Sequence, residues 1–271
     1  MKAAVSKTVM GHWPIESSNL SLSAQRLGGQ DLGRKADYGV DDPRVPIALT
    51  LSGAGSVAIA LVSWAFGLVP GIVFFGLAGL SGVGGAAGYM YATLWGKHRA
   101  WARILEGAGL RGDERALDIG CGRGAVLVRA AKRLPRGRAV GADIWTRDQS
   151  GNSASATRQN AQAEGVADRV DLTTADARHL PFVDGTFDLV LSSLAIHNIP
   201  SADGRREALA EALRVLKPGG RMLIADLFSV GTYPAELESL GATGVSIREL
   251  GPDAWFGNPF VRTRLVTAGK R

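Results

Sequence analysis

A long uncharged stretch dominates the pattern of hydrophobic and polar positions along the chain. The 52 residues from 45 to 96 include no Asp, Glu, Lys or Arg. A membrane span needs about 20 apolar residues, so this stretch is long enough for two spans and a turn. Proline and glycine at positions 70 and 71 predict the turn. We therefore expect transmembrane helices at about 47–66 and 72–95; the alternative is a helical hairpin buried in a soluble fold.

Small residues within the uncharged stretch favour the membrane interpretation. Glycine occupies eight positions in the two predicted helices: Gly53, Gly55, Gly76, Gly79, Gly82, Gly84, Gly85 and Gly88. In water, each glycine would weaken a helix by about 1 kcal/mol relative to alanine. In lipid, small residues let two helices approach closely and pack by van der Waals contact. Aromatic residues, which favour the membrane interface, lie near the proposed ends: Trp64, Tyr89, Tyr91 and Trp95.

Basic residues flank the stretch on both sides and are absent from the turn. They are Arg34, Lys35 and Arg44 before it, and Lys97, Arg99, Arg103 and Arg111 after it. By the positive-inside rule both flanks are cytoplasmic. The chain is therefore predicted to be a two-span membrane protein with a flexible polar segment at 1–44, the hairpin at 45–96 and a cytoplasmic domain at 97–271.

After Lys97, short apolar runs alternate with helical stretches. Strands are predicted at 116–119, 139–143, 170–173, 187–192, 222–226, 245–248 and 261–267. Helices are predicted at 124–134, 153–164, 204–216 and 235–240. Strands that alternate with helices indicate βαβ units. The fold class is therefore α/β, with a doubly wound, mostly parallel sheet and helices on both faces.

A glycine-rich turn follows the first predicted strand. Gly120, Gly122 and Gly124 would bring the backbone close to a ligand at the start of a helix. Asp143 ends the next strand, where a carboxylate can accept both hydroxyls of a ribose. Because Ala125 completes the glycine pattern typical of nicotinamide-binding proteins, the loop and Asp143 alone fit more than one cofactor.

Further motifs distinguish between these cofactors. Asp118 precedes the first glycine by two residues, Asp176-Ala177-Arg178 follows the third strand, and Leu216-Lys217-Pro218-Gly219-Gly220 follows a later helix. Together with the glycine turn, these motifs closely resemble the class I S-adenosylmethionine-dependent methyltransferases. The most similar branch is the methyltransferase type 11 group, which includes ubiquinone/menaquinone-type C-methyltransferases. The resemblance covers about residues 100–227 and implies a seven-stranded sheet whose final strand is antiparallel.

The resemblance implies roles for individual residues. Asp118 and the three glycines would line the methionine end of S-adenosylmethionine, with Cys121 in the same loop as a small packing residue. Asp143 would bind the ribose hydroxyls and Ile144 would lie against adenine. Asp176, beside Ala177, would hydrogen-bond the adenine amino group. The full set of expected cofactor-binding residues is Asp118, Gly120, Cys121, Gly122, Gly124, Asp143, Ile144, Asp176, Ala177 and Ser192.

Residues after the fourth strand are the candidates for catalysis. Ser192 and Ser193 would face the methyl-transfer centre, and Ser193 is one of two candidate catalytic residues. The other is His197, since histidine titrates near neutral pH and can act as a general base. The alternative is that His197 positions the substrate or caps a helix. The polar loop 148–152 either caps the next helix or contacts a ligand.

Composition and charge narrow the choice of acceptor. Hydrophobic residues make up 46% of the chain, which excludes a disordered protein, and a single cysteine excludes a disulfide framework or a multi-cysteine metal site. No metal is expected. The net charge of +6 permits nucleic acid, but Ser192-Ser193-Leu194-Ala195 lacks the signature of nucleic-acid amino-methyltransferases, so none is expected.

Three functional hypotheses follow from the sequence. The first is a membrane-anchored methyltransferase acting on a small lipophilic acceptor such as a quinone, isoprenoid or phospholipid headgroup, in contact with the lipid bilayer. The second is an NAD(P)-dependent oxidoreductase. The third is a membrane protein that binds the cofactor without using it.

Overall fold

A computed structural model describes residues 36–146 and 150–271. Its central element is one sheet of seven strands in the order β3-β2-β1-β4-β5-β7-β6. The strands are β1 (Arg115–Ile119), β2 (Arg138–Asp143), β3 (Val170–Thr174), β4 (Phe187–Ser193), β5 (Leu216–Asp226), β6 (Thr243–Glu249) and β7 (Arg264–Gly269). The strands β1 to β5 pair in parallel, and β7 runs antiparallel to both β5 and β6. The predicted seven-stranded sheet with an antiparallel final strand is therefore confirmed.

Helices cover the sheet on both faces because its central strands are apolar on both sides. Leu117 of β1 packs in one core cluster with Leu209, whereas its neighbour Ala116 packs in a second cluster with Leu127. Successive side chains of a strand point to opposite faces, so these clusters form the two layers. All parallel strands consequently end at one edge, where the glycine turn and Asp143 lie.

Seven α-helices are present among the described residues. They are α1 (Arg44–Ala65), α2 (Val69–Tyr91), α3 (Lys97–Gly107), α4 (Ala125–Lys132), α5 (Ala154–Ala163), α6 (Ala202–Val215) and α7 (Tyr233–Ser239). The hydroxyls of Ser153 and Ser201 cap α5 and α6 by accepting a backbone N–H from the first turn. The sequence patterns did not predict α3. A π-helical turn at Ala92–Gly96 joins α3 to α2 as one continuous helical segment.

Glycine residues form the contact surface between α1 and α2. A Cβ atom at Gly79 would lie 2.6 Å from a methyl of Val57, and one at Gly82 would lie 2.7 Å from the Cα of Gly53. Gly76, by contrast, faces open space. Part of the predicted glycine set therefore forms the contact between the two helices, as small residues do in membrane hairpins.

The outer surface of the hairpin is apolar and uncovered by the rest of the described chain. In α1 only Pro46, Gly53 and Ser63 are buried. Large side chains such as Leu51, Phe74 and Leu80 are about two-thirds exposed. Both helices are long and apolar enough to cross a membrane, judged by length and composition. The hairpin is thus not enclosed in the way that the buried-hairpin alternative requires.

The last residues of the predicted N-terminal segment contact the rest of the described chain. Most of the segment 1–44, predicted to be flexible, lies outside the described residues, but residues 36–43 pack against the domain. Asp41 forms an ion pair with Lys97 at 2.7 Å, and Asp37 forms one with Arg123 at 2.7 Å. Lys97 is nearly buried, so Asp41 offsets the cost of desolvating its charge. Residues 36–271 consequently form one compact unit, with no break at Lys97.

We expect Gly82→Ala to destabilise the hairpin and Gly76→Ala to leave it unchanged or slightly stabilised. The added methyl group at position 82 meets backbone at 2.7 Å, whereas the one at position 76 meets nothing within 4 Å. Overpacking costs about 1–3 kcal/mol. Thermal unfolding of the two variants in detergent would measure the difference, and equal midpoints would contradict the close helix contact.

Candidate active site

The glycine turn is shaped by backbone conformations and contacts that exclude larger residues. Gly120 has a φ of 69° and Gly124 a φ of 85°, values in the left-handed region that favours glycine. A Cβ at Gly120 would overlap the methyl group of Ala195, and one at Gly124 would lie 2.8 Å from a methyl of Thr157. The two glycines therefore let the turn pack closely against Ala195 and Thr157, while Gly120 and Gly122 line the cavity.

Asp143 anchors this turn from the end of β2. Its carboxylate accepts the backbone N–H of Gly122 at 2.8 Å and that of Trp145 at 2.6 Å, and the Asn152 amide lies at 3.4 Å. The side chain lies in the wall of the site although it is largely buried. Since a carboxylate has about four lone-pair positions, Asp143 can still accept hydrogen bonds from a ligand.

Asp118 is a buried carboxylate with an unused oxygen. It is only 2% exposed, and its Oδ2 atom has no hydrogen-bond partner among the described residues. Burial and the neighbouring charge of Asp143 raise the pKa of the Asp118 carboxyl well above its usual range, although a backbone hydrogen bond at Leu127 opposes this. A buried carboxylate with one unpaired oxygen is the arrangement that a cationic ligand group would complete.

Asp176 lies in the same wall, where it forms an ion pair with Arg178. The guanidinium contacts both carboxylate oxygens, at 2.5–3.1 Å, and holds the pKa of Asp176 below its usual range. Ala177 also lines the site and packs on the core, and Ile144, across the site, is half exposed. Cys121 lines it too; it is buried, and burial raises the pKa of its thiol, as expected for a packing residue.

The two serines of β4 point in different directions, which corrects the expectation that both face the site. Ser192 is 1% exposed, and its hydroxyl donates to the carbonyl of Ile119 at 3.0 Å within the sheet. Ser193 lines the site, where its Oγ accepts the indole N–H of Trp101 at 2.9 Å. Neighbouring strand residues must point to opposite faces, so only one of the pair can reach a ligand.

His197 lies in the wall of the site and is held by a buried carboxylate. Its Nδ1 contacts Asp226 Oδ1, and its backbone N–H donates to Asp226 Oδ2 at 2.9 Å. Asp226 is fully buried and also accepts the Tyr233 hydroxyl at 3.0 Å and the Leu227 N–H at 2.9 Å. Burial and the charge of Asp226 raise the pKa of the Tyr233 phenol, which therefore stays a donor.

This arrangement fixes which ring nitrogen of His197 faces Asp226. Several donors converge on Asp226. A carboxylate only accepts hydrogen bonds, so Nδ1 of His197 carries a hydrogen in this contact and Nε2 is left to contact other groups. The geometry thus sets the orientation of the imidazole through Asp226.

A single cavity of about 880 Å³ connects these groups. Its wall runs from Asp118 and Asp143 past His197 to the base of the hairpin, where Leu49 and Tyr89 also line it. Ligand pockets commonly measure 300–1,000 Å³, so there is room for a cofactor and a small second molecule. The cavity is therefore lined by all the predicted site residues described above except Ser192 and Gly124, whose Cβ direction faces Thr157.

Several site residues escaped the sequence prediction. Asp226 and Tyr233 lie 29 and 36 positions after His197, and Trp101 lies on the unpredicted helix α3. The end of β5 at Asp226 was the one available signal, since functional groups gather at the carboxyl ends of parallel strands. In the loop 148–152, Asp148 and Gln149 lie outside the described residues, and Asn152 contacts Asp143 while Ser153 caps α5.

Comparisons with known proteins agree with this geometry. A family model described as a methyltransferase domain matches residues 116–220. Ubiquinone/menaquinone biosynthesis C-methyltransferase UbiE from Dinoroseobacter shibae is 36% identical over 132 residues, 48% of this chain and 50% of that protein. The protein of the same name from Pseudomonas fluorescens is 36% identical over 133 residues, 48% and 49% of the two chains. The chain thus spans about half the length of the curated relatives it matches.

Solved structures show the same fold. The geranyl diphosphate C-methyltransferase from Streptomyces coelicolor, in complex with Mg2+, geranyl diphosphate and S-adenosyl-L-homocysteine, aligns with a TM-score of 0.51. It is 17% identical, and the alignment covers 64% of this chain and 79% of that one. The shared fold agrees with the family model and the sequence matches. The chain carries a methyltransferase domain at residues 116–220 and is similar to S-adenosylmethionine-dependent methyltransferases.

Proposed function

We propose that this protein is a membrane-anchored methyltransferase that transfers a methyl group from S-adenosylmethionine to a small lipophilic acceptor. The observation that carries the proposal is the cavity that joins Asp143 and His197 to apolar residues of the hairpin, Leu49 among them. The relatives named as ubiquinone/menaquinone C-methyltransferases support an acceptor of this class. The apolar, exposed surface of the hairpin supports the anchor, with the catalytic domain on the cytoplasmic side.

The residues of the cofactor end fit S-adenosylmethionine. Asp118 would hold the ammonium group of the methionine portion, which would give its unused oxygen a partner. The cavity would bring the ligand close to the backbone of Gly120 and Gly122, and Asp143 would accept the ribose hydroxyls. Asp176 and Ile144 would border the adenine. When bound, S-adenosylmethionine supplies an electrophilic methyl group on a positively charged sulfur.

The remaining residues would align the acceptor and accept the proton that it loses. Methyl transfer is an in-line displacement, so the cavity contributes alignment and exclusion of water. S-adenosylmethionine held there would supply the methyl group, and Nε2 of His197 would accept the proton that the acceptor loses. Ser193, held by Trp101, would position the acceptor beside it.

The proposal can be tested by following a labelled methyl group. The full chain, reconstituted in vesicles, is incubated with methyl-labelled S-adenosylmethionine and a membrane lipid extract. We expect label in an organic-soluble product that mass spectrometry can identify. Label found only in water-soluble products would refute the lipophilic acceptor. Binding of S-adenosylhomocysteine without any turnover would support the non-catalytic alternative instead.

Asp118→Asn is expected to stabilise the ligand-free protein and weaken its binding of S-adenosylhomocysteine. The raised pKa of Asp118 means that the folded state binds a proton more tightly than the unfolded chain. Folding stability therefore falls as pH rises from the usual carboxyl range through the raised pKa, and the neutral asparagine avoids this loss. Affinity should drop about ten-fold or more, since a charge-assisted contact is lost.

Thermal unfolding across pH and calorimetric titration would measure the two effects of Asp118→Asn. Exposed Asp171, replaced by asparagine, provides the control. The gain in unfolding temperature should be present at neutral pH and vanish in acid. A gain of equal size at every pH, or unchanged affinity, would contradict the assigned role.

A further inference from the structure

The cavity reaches the surface of the protein at the base of the hairpin. Val45 in the first turn of α1 and Asn258 in the loop between β6 and β7 both line the cavity and are both exposed. Leu49 and Val261 line the same end. We call the place bordered by these four residues the lateral opening. Three of them are apolar, whereas the opposite end of the cavity holds the carboxylates of the cofactor site.

The loop that borders the lateral opening is packed tightly against the hairpin. A Cβ at Gly88 would lie 3.2 Å from the carbonyl oxygen of Gly257, and one at Gly257 would lie 3.2 Å from that of Gly85. The rings of Tyr89 and Phe256 meet edge to face at 5.4 Å. The loop is therefore fixed at the level of Gly85 and Leu49, inside the hairpin's length.

The length of the uncovered hairpin sets the depth of this loop. Beyond Leu49 on α1, and before Gly85 on α2, about 16 residues remain in each helix, or about 24 Å. The hydrocarbon core of a bilayer is about 30 Å thick. The uncovered helices and the short turn between them are together only about as long as the core is thick. A hairpin that spans the core therefore brings the lateral opening to the inner boundary of the lipid.

The side chains around the lateral opening have the composition of a membrane interface. Phe260 is 90% exposed on the bordering loop, and Trp95 is 56% exposed on the π-helical turn. Arg44 and Arg262 carry exposed guanidinium groups near the lateral opening. Arg44 pairs with Asp42 and Arg262 with Glu249. Both guanidinium groups can also contact anionic lipid headgroups. Aromatic and basic residues together are typical of the cytoplasmic lipid boundary.

We infer that the lateral opening lies in the bilayer interface and admits the acceptor directly from the lipid, tail outermost. The inference rests on the proposed function and adds the route and orientation of the substrate. The reacting group of an amphiphilic acceptor would enter first, past Leu49 and Val261, and reach His197 while its apolar tail stays among the acyl chains. The apolar tail is thereby never exposed to water.

Spin labelling tests the depth of the lateral opening. Phe260→Cys and Val183→Cys are each labelled with a nitroxide in the full chain, in vesicles of phosphatidylcholine and phosphatidylglycerol. Both positions are highly exposed, but Val183 precedes β4 at the opposite edge of the sheet. We expect Phe260 to be several-fold more accessible to oxygen than to a water-soluble nickel chelate, and Val183 to show the reverse. Equal behaviour would overturn the inference.

A pair of tryptophan variants tests the route. Leu49→Trp narrows the lateral opening, whereas Leu51→Trp places the same bulk on the exposed face of α1, outside the cavity. The probe is a benzophenone with a farnesyl tail, added to the vesicles and photolysed. Its crosslinking to cavity peptides should fall about ten-fold in the first variant only. An equal loss in both variants, or in neither, would overturn the route.

These results are distinguishable from those that test the proposed function. If lipid methylation is absent while Phe260 lies in lipid and Leu49→Trp blocks the probe, the function fails and the lateral opening stands. If lipid methylation occurs while Phe260 lies in water, the lateral opening alone fails.

Discussion

Replacing Asp143 by alanine is expected to lower methyl transfer at least about a hundred-fold, which corresponds to about 2.7 kcal/mol of lost transition-state stabilisation. The carboxylate has two tasks at the end of β2. It accepts the N–H groups of Gly122 and Trp145, which fixes the glycine turn. Under the proposed function it also accepts the ribose hydroxyls of S-adenosylmethionine. Alanine removes both at once. The measurement is kcat/KM for labelled methyl transfer, together with the affinity for S-adenosylhomocysteine.

A neighbouring carboxylate supplies the control for this variant. Asp171 lies on the adjacent strand β3 but is half exposed and pairs with Arg138 at 2.7 Å, away from the cavity. Asp171→Ala should leave kcat/KM unchanged, since an exposed ion pair contributes at most about 1 kcal/mol to stability and touches no ligand. Asp143→Asn keeps one acceptor oxygen, so its kcat/KM should lie between the values of Asp143→Ala and Asp171→Ala. Full activity in Asp143→Ala would show that the ribose assignment is wrong.

The cofactor end of the site could be predicted because its signals are local. Asp118, the glycines and Asp143 belong to two strand–turn units, and parallel strands bring their carboxyl ends together without further information. The alternation of strands with helices could be predicted from local patterns in the same way. Ser192 was assigned wrongly although the period of a strand could have corrected it, since it and Ser193 cannot face the same side.

The acceptor end could not be predicted in this way because its contacts join distant parts of the chain. Asp41 meets Lys97 and Thr93 across more than fifty positions, and Trp101 meets Ser193 across 92. No local pattern marks these partners. The π-helical turn also changes which residues of the continuous helix face the domain, so the periodicity of α2 does not extend to α3. Tertiary packing decides this half of the cavity.

Disruption of the His197–Asp226 pair is expected to lower kcat by about 10²–10⁴-fold while cofactor affinity stays within a factor of about two. His197→Gln removes the base at Nε2 and keeps a polar side chain of similar reach. Labelling assays stopped at set times would measure kcat, and calorimetric titration with S-adenosylhomocysteine would measure the cofactor affinity.

Asp226 acts through His197, so its variants should reproduce the kinetic defect without touching the acceptor. Asp226→Asn weakens the orientation of the imidazole but leaves polar atoms buried among the donors of Leu227 and Tyr233, so it should also lower the unfolding temperature. Tyr233→Phe removes a single 3.0 Å hydrogen bond and keeps the packing. A moderate loss of kcat in Tyr233→Phe with cofactor affinity retained would separate orientation from folding. Unchanged kcat in both His197→Gln and Asp226→Asn would mean that the acceptor loses no proton to this histidine.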